Sequence, residues 1–192
     1  MLIETKGLIF IEPGYQRNDG GNITHLQYLN ETKPRTLSRP ISAVVHQLQR
    51  QAHSHFIYSR DELEIWSNCQ HCLPIPVDFN TTLFPVQART APHSEHDGCT
   101  AYLNVAMVNR SGLTNKQTNN REKVIMQFPG GITFQAAANW ETLWHHVLEA
   151  NNVHNSLLLK TVQQLHQLSV LLQSDPQKLP VIPIKVLHPK KH

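Results

Sequence analysis

The chain has 192 residues, 40% of them hydrophobic and 16% charged, enough apolar material for one full core and too little charge for a disordered chain. Its net charge of +3 and pI near 8.8 permit a polyanionic partner without the strong basicity of a dedicated nucleic-acid module. No run approaches the roughly 18 apolar residues that span a bilayer, and Glu4 and Lys6 interrupt the N-terminus before a signal peptide can form, so no membrane association and a cytoplasmic location are expected.

In chain order, GLIFIE (7–12) and ITHLQYL (23–29) read as strands of a hairpin, separated by the turn-rich PGYQRNDGGN. LSRPISAVVHQLQRQ then reads as a short helix with Ser38 as N-cap, Pro40 in the first turn and Ile41, Val44, Val45 and Leu48 on one face. HFIYS and ELEIW are β-rich runs about a turn at Arg60-Asp61. LPIPVDF, with two prolines, is excluded from the centre of a sheet, whereas FPVQA and TAYLNVAMV are suited to pair within one. NRSGLTNKQTNN (109–120) has almost no large apolar residue and reads as a mobile loop. KVIMQF and GITFQ form a second hairpin about Pro129, Gly130 and Gly131.

Two C-terminal helices are expected next. The first is capped by Asn139, with Trp140, Leu143, Trp144, Val147 and Leu148 at helical spacing; the second starts near Asn155 and buries Leu158, Val162, Leu165, Leu168 and Leu172. The linker ANNVHN makes them an antiparallel pair. The whole is predicted to be a single α+β domain over 1–192: antiparallel sheet hairpins, a C-terminal antiparallel helix pair, a zinc-knuckle insertion at about 66–101 and an extended tail at 176–192.

The insertion carries all three cysteines. Without an export signal, an odd count argues for metal ligation over a disulfide framework. Cys69 and Cys72 form a C-x2-C knuckle, and His96 and Cys99 repeat the two-residue gap, so a Cys3His set for Zn2+ is predicted, with His93 as the alternative to His96. Such thiolate-rich sites are usually closed and structural. A catalytic zinc needs an open position and a general base, for which Glu95 and Asp97 are the nearby carboxylates.

Arg110, Lys116, Arg121 and Lys123 gather around the polar stretch, where amides and cations suit a phosphate backbone and base edges. The resulting expectation is a non-enzymatic, nucleic-acid-associated or regulatory accessory protein with a structural zinc site and a DNA or RNA partner. A protein-interaction or assembly subunit that engages a protein partner through the helix pair is the second reading, and a zinc-dependent hydrolase or nuclease the third.

Overall fold

A computed structural model describes residues 2–15, 22–53, 56–68, 73–88, 99–108, 112–118 and 121–174, with the backbone alone at 112–118, 121–123 and 174. The described chain divides into two units, Met1–Leu157 and Leu158 onward.

The first unit is built on a six-stranded antiparallel sheet. Its strands are β1 (Leu8–Tyr15), β2 (Asn22–Tyr28), β3 (Arg35–Leu37), β4 (Ile75–Asp78), β5 (Thr81–Gln87) and β6 (Thr100–Asn104), in the order β3-β2-β1-β6-β5-β4. The expected first hairpin is β1–β2. The Pro-interrupted run is β4, at an edge, where Pro76 costs the sheet least. Alternation along the strands gives the sheet two buried faces. Leu8, Ile11, Leu26, Leu83 and Val77 point to one face and meet Ile41, Val44, Val45 and Leu48 of helix α1 (Ile41–Ala52). Ile9, Phe10, Phe84, Val86 and Leu103 point to the other.

There a second sheet, β7 (Gly112–Thr118), β8 (Arg121–Gln127) and β9 (Thr133–Ala136), contributes Val124, Met126, Phe134 and Ala136 to the same cluster. Phe10 lies 5.0 Å from Phe134 between ring centroids. A 3-10 turn at Pro129–Gly131 joins β8 to β9, with Gly130 and Gly131 at positive φ, as expected of the second hairpin. Leu143, Val147 and Ala150, from the N-terminal part of a long helix, complete this core.

Five expectations are corrected. TAYLNVAMV is a strand only over Thr100–Asn104, its second half, Val105–Val108, being helical. Pro40, not Ser38, occupies the N-cap of α1, and no side chain caps it. HFIYS and ELEIW are not two strands: Arg60–Ser67 is helix α2, started by a reciprocal capping box between Ser59 and Glu62 and ended by Asn68 in the left-handed conformation. The polar stretch is not a loop. Gly112–Thr118 pairs with β8 along its whole length, because a ladder needs backbone groups and tolerates Thr, Asn and Gln side chains.

The helix pair is a single helix. Following Val105–Val108 (α3), α4 runs unbroken from Trp140 to Ser174, with the expected cap at Asn139, whose Oδ1 accepts from the Thr142 N–H at 2.8 Å. ANNVHN contains no Gly or Pro, and the Asn151 amide donates to the Val147 carbonyl one turn back, so the stretch stays helical. Val153 and Leu157 are buried, but Val162, Leu165, Leu168 and Leu172 are exposed and Leu158 is half-buried. Within the expected insertion, Ile75–Asp78 and Thr81–Gln87 are strands of the main sheet. The stretches 69–72 and 89–98, like the tail after Ser174, lie outside the described residues.

Candidate functional site

A cleft of about 620 Å³ opens between α1, α2 and the approach to β4. Its floor follows from the amphipathic pattern of α1. With Ile41, Val44, Val45, Leu48 and Ala52 turned into the core, the opposite stripe carries His46, Gln49, Arg50 and His53, and all four line the cleft. Spacings of three and four residues stack them on one helical face.

Tyr58 and Arg60 enter from the segment leading into α2, and Leu63, Leu73, Pro74 and Ile75 supply apolar walls. The His53 and Tyr58 rings lie 4.9 Å apart at 30°. The Tyr58 hydroxyl donates to the Pro76 carbonyl at 3.4 Å, and burial pushes its pKa up to about 12. Arg60 is partly neutralised by Glu64, 2.8 Å away along α2. Among the described residues Arg50 makes no ion pair and no carboxylate lines the cleft. Two guanidinium groups, two imidazoles and an aromatic pair thus face a concavity suited to an anion carrying a flat ring or apolar group.

Both cysteine-bearing stretches adjoin strands of the main sheet in sequence. The register sets Ile75, at the start of β4, opposite Leu83, which faces Asn104 at the end of β6, while Gln87 at the end of β5 faces Thr100 at the start of β6. Cys72 directly precedes Leu73, and Cys99 directly precedes β6. The Ala88 N–H donates to the Cys99 carbonyl at 2.7 Å, closing the neck of the 89–98 excursion, and Cys99 itself is half-buried. One strand separates β4 from β6, so their axes lie about 10 Å apart.

Of the residues expected to hold zinc, Cys99 therefore lies directly before β6. Cys69, Cys72, His93 and His96 lie outside the described residues. Among the described residues no three His, Cys, Asp or Glu side chains gather as a metal site.

Of the expected nucleic-acid contacts, Lys116, Arg121 and Lys123 fall on the β7–β8 ribbon, where the register sets Lys116 opposite Lys123 and Thr118 opposite Arg121. Arg110 lies outside the described residues. The cleft residues His46, Arg50, His53, Tyr58 and Arg60 were absent from the sequence reading. Their signal was the polar stripe H-x2-Q-R-x2-H opposite the apolar face of α1.

His145 and His146, on α4, reach the surface to different degrees. Their side chains are 68% and 25% exposed, and both contact the buried Glu149, at 3.1 and 3.0 Å. This satisfies a buried carboxylate within one turn of helix.

A second cavity, of about 590 Å³, has His154 and Asp78 in its wall. His154 Nδ1 is 2.9 Å from the Thr82 hydroxyl, and burial lowers the His154 pKa against the pull of Asp78. Thr82 is fully buried and so withheld from substrate.

No family model, curated protein or solved structure matches the chain. Among the described residues no helix is long and apolar enough to cross a membrane.

Proposed function

We propose that the protein is a non-enzymatic, nucleic-acid-associated or regulatory accessory protein with a structural zinc site. The observation that carries this reading is the α1–α2 cleft, which Arg50, Arg60, His46, His53 and Tyr58 line with no carboxylate among the described lining residues. Cations there meet phosphate, and the His53–Tyr58 pair offers a surface on which a base stacks. The β7–β8 ribbon adds a second basic element, with Lys116 and Lys123 at paired register positions.

The zinc reading rests on the spacing of cysteine and histidine in the sequence. A C-x2-C pair that follows α2 in sequence and a partner pair ending at Cys99, directly before β6, supply the ligand set, and an ion held by Cys69, Cys72, Cys99 and His96 or His93 would tie α2 and β4 to β6. Four ligands close the coordination sphere, which supports a structural ion over a hydrolytic one.

The test is binding of short single-stranded and duplex oligonucleotides, followed by fluorescence anisotropy across a salt series. Affinity is expected to fall as salt rises, and Arg50→Ala with Arg60→Ala is expected to reduce the log–log slope by about two at unchanged zinc content. The Lys116→Ala, Arg121→Ala, Lys123→Ala variant reports separately on the ribbon. No binding at low salt, or binding indifferent to salt, refutes the reading.

A further inference from the structure

The C-terminal part of α4 has a surface unlike that of any other described helix. Within the 14 residues from Leu159 to Leu172, seven large apolar side chains are exposed: Leu159, Val162, Leu165, Leu168, Val170, Leu171 and Leu172. Val162 and Leu165 are 61% exposed, Leu168 and Leu172 45%. Between 158 and 174 the only formal charge is Lys160. Helices that stand alone in water carry charged faces, and segments of about 12–15 residues are marginal even then, so this stretch needs a cover.

Its pattern specifies the cover. Leu158, Leu165 and Leu172 recur every seven residues and stand almost in line, with Val162 and Leu168 flanking them; the stripe extends for about 20 Å. We infer that residues 158–172 are a self-association helix, packed against the same segment of a second copy of the chain.

Three features favour a second copy over a different partner. A leucine heptad is complementary to itself, each leucine entering a gap between leucines of the facing helix. Lys160 projects from the side away from the stripe, so pairing opposes no like charges and asks for no acidic partner. Ser169, the polar residue inside the stripe, returns its hydroxyl to the His166 carbonyl at 2.7 Å and brings no unsatisfied donor to the seam. Leu159 and Val170 on one flank and Leu171 on the other widen the apolar surface beyond a two-helix seam, so further copies can add to the pair.

The experiment is sedimentation equilibrium of the full chain from low micromolar to about 100 µM, a range that captures weak self-association. Reversible dimers or larger closed oligomers are expected. Leu165→Asp with Leu172→Asp is expected to weaken association on the order of 100-fold or more, and Leu165→Ala with Leu172→Ala, which keeps helix propensity, to weaken it less. Lys160→Ala is expected to leave it unchanged. An unaltered near-ultraviolet circular-dichroism spectrum shows that the sheet unit remains folded in each variant.

A chain monomeric throughout the range overturns the proposal, as does association that both double variants leave intact. A monomer that sediments with neutral phospholipid vesicles assigns the face to lipid. One that associates only after residues 175–192 are removed assigns it to the chain's own C-terminal run. Either result also overturns the proposal.

Discussion

Tyr58 makes the cleft readable in solution. Burial holds its hydroxyl in the neutral form up to about pH 12, whereas an unfolded tyrosine ionises near 10.0. The folded pKa is the raised one, so the stabilising contribution is complete below about pH 10 and disappears as pH climbs through 12. Tyr28 is shifted in the same direction, chiefly by burial, and adds to this alkaline limb. The difference between wild type and Tyr58→Phe isolates the Tyr58 share. Urea midpoints measured from pH 8 to 12 are expected to fall less steeply in the variant, and parallel curves would show that the hydroxyl is not sheltered. Ser59 bears on the same wall. It caps α2 by accepting from the Glu62 N–H while Glu62 accepts from the Ser59 N–H, so Ser59→Ala is expected to cost about 1 kcal/mol by chemical denaturation.

Among the elements, α4 is the sharpest departure from local expectation. Two apolar stripes separated by an Asn-rich stretch read as a helix pair, since Asn competes with the helix for its own backbone. Within α4 the Asn151 amide instead donates inside the helix, and Val153 and Leu157 extend the buried face past the supposed turn. Asn152→Pro discriminates the two arrangements. In a linker it would be tolerated; inside a continuous helix it removes a hydrogen bond and clashes with the preceding turn, with an expected loss of about 3 kcal/mol in chemical denaturation. Helix α2 shows the converse. Ile57 and Ile65 resemble strand residues yet are 83% and 76% exposed, and the S-x-x-E box decided the conformation where no buried face selected a strand.

At the scale of the whole molecule, the proposed zinc would join parts distant in sequence. Residues 69–72 connect α2 to β4, and 89–98 connect β5 to β6, so an ion shared between them would tie three strands and a helix. Elemental analysis of untagged protein is expected to find about one Zn per chain, and less than about 0.2 would refute the site. Chelation is expected to lower the thermal midpoint by on the order of 10 °C, since about 1 kcal/mol moves a chain of this size by 2–4 °C and a structural zinc contributes several. Cys99→Ser is expected to reproduce the chelated state.

What the sequence alone determined were the features carried by local pattern: the β1–β2 and β8–β9 hairpins, the apolar face of α1, the Asn139 cap, the exclusion of the Pro-containing run from the sheet's centre, and the α+β class. Each rests on alternation, helical periodicity or turn chemistry acting within about a dozen residues. Tertiary structure alone decided the rest. Gly112–Thr118 is a strand because β8 lies beside it, a partner that its own polar side chains do not announce. The cleft exists because α2 and the approach to β4 fold over a polar stripe of α1 that, by itself, reads as solvated surface. The leucines from 158 to 172 were expected to be buried because periodicity records that a face is apolar, whereas burial depends on whether another surface reaches it.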